Sequence, residues 1–407
     1  MFIRSKKILV FSSIFFNIFI IISLFYTVTP DFLNAKSTVP QEKNINDNSK
    51  KFPSRLINDS FYFNEANPSK IKKTKILSGS QKGIYMTGYS MGNKNIRNRI
   101  YDIIEKTELN TIVFNAKDDD GYIDYDTDNN FAVNNNAVIV NYDIAEIISE
   151  MNAKGIYSIA RIVVFKDPVT AEKHPEMTIR DSRSGNPLYA EGSYWPDIYC
   201  EDYWNYIIEI ALEVAGMGVD EIQFDYIRGP ARGNIKYADY TYNKNGLTKS
   251  EAISNFLKKA NQLLKKTGVR MSADIFGFVL IENNDQGIGQ MVQEITPYLD
   301  YLYPMVYPSH YSRGFMGFDI PENHPYEVVK YTLQKGFPKL KGSNCIMIPW
   351  LQAFGLDMKY SKKDIISQIS ATEEMGINGF LFWNASNNYS IVEEALLERS
   401  SYEGSPD

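Results

Sequence analysis

From about residue 82 the chain alternates between short apolar runs and longer amphipathic stretches. The short runs fall at Lys82–Ser90, Thr111–Ala116, Ile156–Val164, Val219–Asp225, Arg270–Phe278, Tyr301–Tyr307, Cys345–Leu351 and Gly379–Trp383. They have the length and the flanking turn residues of buried strands. Between and after them, apolar positions recur at helical spacing over Asn95–Thr107, Tyr142–Ala153, Glu201–Gly216, Ser250–Lys266, Ile288–Leu299, His324–Lys335, Lys362–Met375 and Ile391–Arg399. Thr248 lies where a cap for the Ser250–Lys266 helix belongs. A long loop, Phe165–Tyr199, separates the third strand from its helix. Strands that alternate with helices predict a parallel sheet. Eight such pairs favour an α/β fold of the (β/α)8 barrel type over residues 81–400. An open doubly wound sheet would need a nucleotide-type glycine turn after its first strand, and Gly88-Tyr-Ser-Met-Gly92 is not one.

The start of the chain follows a different pattern. Arg4, Lys6 and Lys7 precede an apolar stretch over Ile8–Val28, interrupted by Asn17 and a few hydroxyl residues. A spanning helix needs about 20 residues, whereas the apolar part of a cleaved signal is about 7–15. The expectation is therefore a single-pass signal-anchor over residues 1–29, with its basic end in the cytoplasm. Residues 30–80, rich in Asn, Ser, Lys, Asp and Pro, are expected to form a flexible, disordered linker that lifts an extracellular barrel off the membrane. Cleavage near Leu33-Asn34-Ala35 would instead give a secreted domain.

Composition narrows the function classes. A net charge of −6 over 407 residues, without a basic stripe, argues against a nucleic-acid partner. The 28 Tyr and 23 Phe suit sugar stacking as well as a large aromatic core. His174, His310, His324, Cys200 and Cys345 are scattered without metal-ligand spacing, so neither a metal nor another cofactor is expected. The two cysteines are expected to be buried free thiols.

Alternation sorts the side chains of the run Val219-Asp-Glu-Ile-Gln-Phe-Asp-Tyr-Ile-Arg-Gly-Pro230. Ile222, Phe224 and Tyr226 would face the helices, while Gln223, Asp225 and Ile227 would face the barrel interior. Asp225 would then stand at the C-terminal rim, where such barrels carry their chemistry. The competing reading is a turn aspartate that caps the next helix. The same logic points Asp274 inward from the fifth strand. Two inward carboxylates on adjacent strands suit acid and base work on a glycosidic bond. Alternatively, Asp274 pairs with a cation such as Arg161 or Arg228. Asn115 and Lys117 share the predicted inward face of the second strand, ahead of Asp118, Asp119 and Asp120. That acidic triplet reads as a solvated turn, since calcium-loop spacing is missing. Arg161 faces inward on the third strand. Tyr303, Tyr307, Tyr311, Trp350 and Trp383, with His310 and Gln352, gather at the ends of the last three strands.

Six segments carry a family resemblance: Gly83-Ile-Tyr-Met-Thr-Gly88, Asn115-Ala-Lys-Asp-Asp-Asp-Gly121, Glu221-Ile-Gln-Phe-Asp-Tyr-Ile-Arg228, Ser272-Ala-Asp-Ile-Phe-Gly277, Pro304-Met-Val-Tyr-Pro-Ser-His-Tyr311 and Phe382-Trp-Asn384. In order over roughly residues 80–400, they resemble a family of bacterial glycoside hydrolases. That family was long catalogued as a domain of unknown function and placed near the α-amylase-like barrel hydrolases. The resemblance implies an exported barrel glycosidase without naming a substrate. The expected function is hydrolysis of an extracellular or cell-envelope polysaccharide. Asp225 and Asp274 would be the catalytic pair, and Tyr85, Asn115, Lys117, Asp118, Arg161, Arg228, Tyr303, Tyr307, His310, Trp350, Gln352 and Trp383 the substrate contacts. Two other classes compete. One is a non-catalytic glycan-binding surface protein, and the other is a metal-dependent deacetylase, whose histidine and carboxylate cluster is not visible.

Overall fold

The computed structural model describes residues 78–403. The expected anchor lies outside the described residues, as does all but the end of the expected linker. Among the described residues no helix is long and apolar enough to cross a membrane. The eight predicted strands form one closed parallel barrel. They are β1 Lys82–Met86, β2 Thr111–Lys117, β3 Tyr157–Val163, β4 Glu221–Asp225, β5 Arg270–Phe276, β6 Tyr301–Met305, β7 in two pieces (Ile346–Met347 and Trp350–Gln352), and β8 Phe380–Trp383. Each pairs with its sequence neighbours, and β8 closes on β1 through Lys82↔Phe380 to Ile84↔Phe382. The helices that follow them are α1 Lys94–Lys106, α2 Ile144–Ala153, α3 Glu201–Gly216, α4 Lys249–Leu264, α5 Val292–Ile295, α6 Pro325–Gly336, α7 Lys362–Glu374 and α8 Ser390–Glu403. Thr248 caps α4, forming a reciprocal capping box with Glu251.

The boundaries depart from the periodicity where local chemistry intervenes. Strand β1 stops at Met86 rather than Ser90, because Thr87 caps a short helix, Gly88–Gly92. At Gly88 a Cβ would lie 2.2 Å from Asp124 Oδ1, so only glycine lets that carboxylate approach. Helix α5 is one turn instead of the predicted three, and a 3-10 turn at Thr296–Tyr298, with Pro297 inside it, ends the element. Proline 349 lacks the N–H that a continuous β7 would need, and the strand breaks there.

Two apolar layers result. The larger lies between strands and helices. The smaller fills the barrel with Tyr85, Val113, Tyr157, Ile159, Tyr301, Tyr303, Ile348, Trp350 and Leu381 among others. Both cysteines are buried free thiols, as expected from their spacing.

Candidate active site

Strand register builds the site. Gln223 pairs with Ser272 and Phe224 with Ala273. One more step of that register sets Asp225 level with Asp274 at the C-terminal mouth. Both are almost fully buried. Asp225 does not cap a helix. Its Oδ2 accepts from Arg161 Nε at 2.9 Å and Nη2 at 2.6 Å, forming a buried ion pair. Its Oδ1 accepts the Tyr226 backbone N–H at 2.6 Å. That bond depends on Tyr226 adopting φ 52°, a left-handed conformation that a ring-bearing residue rarely takes. Strained backbone of this kind is retained where the surroundings hold it, most often at functional sites.

Asp274 has a different environment. Among the described residues no cation forms an ion pair with it; the Trp350 indole N–H donates to its Oδ1 at 2.8 Å. Burial, and then the neighbouring Asp225 charge, push its carboxyl well above the usual carboxylate range, against the opposing pull of Trp350 and Arg161. The two aspartates are thus differentiated, one ion-paired to arginine and the other pushed toward holding its proton. Arg161 Nη1 also donates to Asn115 Oδ1 at 2.8 Å. Its guanidinium lies 5.7 and 5.4 Å from the ring centroids of Tyr85 and Trp383, which stack on each other at 3.9 Å. Tyr85, Asn115, Arg161 and Trp383 therefore form one assembly with Asp225.

On the opposite wall the Tyr307 hydroxyl is buried and has no hydrogen-bond partner among the described residues. Burial raises its pKa, and the charges of Asp274, Asp225 and Arg161 act on it, so the hydroxyl lies in the field of the pair. His310 and Phe354 pack edge-on against the Tyr307 ring at 5.1 and 5.7 Å. His310 is exposed to solvent yet densely surrounded, as on a cleft wall. Burial, then Arg232, lowers its pKa to about 4, so it is neutral at pH 7.

Several expected contacts are held elsewhere. The β2–β3 register shifts between Asn115 and Lys117, and this bulge turns Lys117 out of the interior. Lys117 is fully buried on the helix side, 3.0 Å from Asp167 and donating to the Val163 carbonyl. Asp167 also caps the helix at Pro168–Lys173 and accepts from the Tyr203 hydroxyl of α3. Asp118 is taken up by its own turn, where Oδ1 accepts from the amides of Asp120 and Tyr122. Arg228 pairs with Glu191 at 3.0 Å, not with Asp274. Gln352 bonds Glu322, Phe354 and Ser309 and so ties two loops together. Tyr303 and Trp350 are fully buried, so neither ring offers a face to a sugar.

The acidic triplet is only partly the solvated turn expected of it. Asp119, with 41 % of its side chain exposed, reaches Lys166 at 2.7 Å. Burial would raise its pKa, but Lys166 and Arg161 more than offset this and hold it below the usual range. Sequence reasoning also missed Glu191 and Phe354. The only signal for Glu191 was a Glu-Gly pair between two tyrosines. Among the described residues no cluster of three His, Cys, Asp or Glu could hold a metal ion, so the deacetylase reading finds no ligand set there.

A family model described as "Putative glycosyl hydrolase domain" matches residues 83–389. Among curated proteins none matches the chain. Among solved structures, a hypothetical protein from Ruminiclostridium thermocellum is 34% identical over 47% of this chain and 97% of its own, with a TM-score of 0.44. The PgaB (BpsB) glycoside hydrolase domain from Bordetella bronchiseptica is 12% identical over 78% of this chain and 98% of its own, with a TM-score of 0.56. An α-galactosidase from Thermus thermophilus is 11% identical over 80% and 62%, with a TM-score of 0.50. At such identities the last two matches speak for the barrel fold alone. The α-amylase-like grouping receives no support from these matches.

Proposed function

Because the chain belongs to the glycosyl hydrolase domain family whose model spans residues 83–389, we propose that its barrel cleaves a glycosidic bond within a polysaccharide, with Asp274 as general acid and Asp225 as nucleophile or base. The observation that carries this reading is the differentiated pair. Buried Asp274, whose carboxyl is pushed toward its protonated form, is the one to give a proton to the glycosidic oxygen as the bond to the anomeric carbon breaks. Asp225, gripped through Oδ2 by Arg161, meets the positive charge that develops on the sugar, either by direct attack or by taking a proton from attacking water. Arg161 acts through Asp225 and is a positioning residue. Trp383, Phe354 and His310, which keep exposed surface beside the pair, supply the wall that a sugar would meet. The source of the polysaccharide, extracellular or cell-envelope, rests on the basic and apolar N-terminal segment, which lies outside the described residues.

A screen of labelled polysaccharides, comparing the parent with Asp225→Asn, tests this. The variant should stay folded, with a stability loss of about 3–5 kcal/mol because buried Arg161 loses its counter-charge. It should lose about 10³-fold or more in turnover, corresponding to over about 4 kcal/mol of barrier. Activity within tenfold of the parent would remove Asp225 from the chemistry. Retained affinity without turnover by the parent on any glycan would support a binding protein instead.

A further inference from the structure

The long loop between β3 and α3 contains a feature that core packing does not explain. Tyr189–Ala190 and Ser193–Tyr194 pair as a two-stranded antiparallel hairpin, with Tyr189 opposite Tyr194 and Ala190 opposite Ser193. Opposed residues project from the same face of such a ribbon, so it is two-sided. Ala190 and Ser193 are buried, whereas Tyr189 is 54% and Tyr194 38% exposed. The two exposed rings meet edge-on with centroids 5.2 Å apart. Both turn residues, Glu191 and Gly192, have positive φ of 51° and 73°, as the tightest hairpin turns require. Asn or Gly usually fills the first of these positions, and the glutamate there has a specific task. It takes Arg228 at 3.0 Å and the Ala231 amide at 2.9 Å, with both members of the ion pair buried.

That ion pair joins the hairpin to the cleft. Arg228 follows Asp225 by three residues, and its guanidinium packs over the rings of Phe276 at 4.5 Å, Trp195 at 4.9 Å and Tyr226 at 5.1 Å. Tyr226 adjoins Asp225, and Phe276 follows Asp274 by two residues on β5. Trp195, fully buried, donates its indole N–H to the Ala190 carbonyl and holds the hairpin from beneath. Arg228 and Trp195 thus tie the hairpin backbone, which carries the exposed tyrosines, to half-buried Tyr226 and Phe276 beside the aspartate pair.

We propose that Tyr189 and Tyr194 form a remote sugar-stacking subsite, so that the substrate is an extended glycan chain occupying the cleft and the hairpin together. This rests on the glycosidase reading of the same site. Aromatic faces take the C–H surfaces of sugar rings, and a hairpin fixed at both ends loses little freedom on binding. Binding energy gained at a distance from the scissile bond then distinguishes long chains from short ones.

The test uses the full chain, the polysaccharide that the parent cleaves in the screen, a ladder of its oligosaccharides, and aryl monoglycosides of the same sugar. The double variant Tyr189→Ala, Tyr194→Ala should raise KM for long chains roughly tenfold, leave kcat within twofold, and leave aryl monoglycosides unaffected. Tyr189→Phe, which keeps the ring, should behave like the parent and controls for folding. Affinity electrophoresis in gels containing each polysaccharide of the screen, using Asp225→Asn, reads binding without turnover. There the tyrosine pair should be needed for retardation. If the parent cleaves nothing but its retardation depends on the tyrosines, the glycosidase reading fails and the subsite stands. A KM independent of chain length, or unchanged by the double variant, overturns the subsite. So does a variant that changes only the oligomeric state, which would assign the tyrosines to a second copy of this chain.

Discussion

Replacing Trp350 by phenylalanine removes a single N–H from the site, and its consequence runs against intuition. The indole donates to Asp274 Oδ1 at 2.8 Å and so favours the charged form of that carboxyl, against burial and the Asp225 charge. A hydrogen bond to a charged group contributes about 1.5–3 kcal/mol, and one to a neutral group about 0.5–1.5. The difference, roughly 1–1.5 kcal/mol, corresponds to about one pH unit. Without the donor, Asp274 should hold its proton to higher pH. The alkaline limb of kcat/KM, where the general acid is lost, should then move up by about one unit. The maximum should fall by an order of magnitude or more, because Asp274 loses the contact that orients it. Trp350 is fully buried against Tyr303 and Trp383, so the smaller ring should also cost on the order of 1–2 kcal/mol of stability, to be read separately in a denaturant melt. A pH series of kcat/KM on the parent and on Trp350→Phe decides the matter. An alkaline limb that stays put, or moves down, would refute Asp274 as the acid that Trp350 tunes.

Two further outcomes follow from buried groups away from the pair. Lys117→Met leaves Asp167 without its cation, so denaturant unfolding should show a loss of about 3–5 kcal/mol while kcat of the folded enzyme stays within a few-fold. A collapse of kcat at unchanged stability would return Lys117 to the site. Asp124 is pushed from 3.8 to about 8, first by burial and then by the Asp118 charge, so the native state binds the extra proton over that range. Stability should therefore fall as pH rises from about 4 to about 8 and level off above, and the stability of Asp124→Asn should fall less steeply than the parent's between about pH 5 and pH 8. Equal slopes for parent and variant over that range would show that Asp124 does not carry the extra proton in the folded state.

The barrel was legible because its signal is repeated: eight apolar runs of strand length alternate with eight helical patterns, and topology follows from order alone. The orientations of Asp225 and Asp274 were legible for the same reason, since uninterrupted strands obey period-two alternation. Lys117 was not, because one inserted residue in β2 reverses every later side chain, and nothing in Thr111–Lys117 marks the insertion. Trp350 and Gln352 were assigned to substrate by their chemistry. Their partners, Asp274 and Glu322, lie 76 and 30 residues away, and no local pattern reports such contacts. Arg161 and Arg228 were both candidate partners for Asp274. The barrel register gives Arg161 to Asp225, while a hairpin inside an unpatterned loop takes Arg228. Glu191 was missed because, beyond a Glu-Gly pair between two tyrosines, its role depends on a turn conformation that its residue type disfavours.

Asp274→Asn, assayed across aryl glycosides of graded leaving-group acidity, tests the central claim most directly. The sugar is that of the polysaccharide cleaved by the parent. Asparagine keeps the shape and can still accept from Trp350, but it has no proton to give to the leaving oxygen. Activated leaving groups, which need little protonation, should be partly spared, and poor ones should lose about 10²–10⁴-fold. The slope of log kcat/KM against leaving-group pKa should therefore steepen. An equal loss for good and poor leaving groups, with the parent slope retained, would contradict the assignment of Asp274 as the acid and turn attention to Asp119 at the rim.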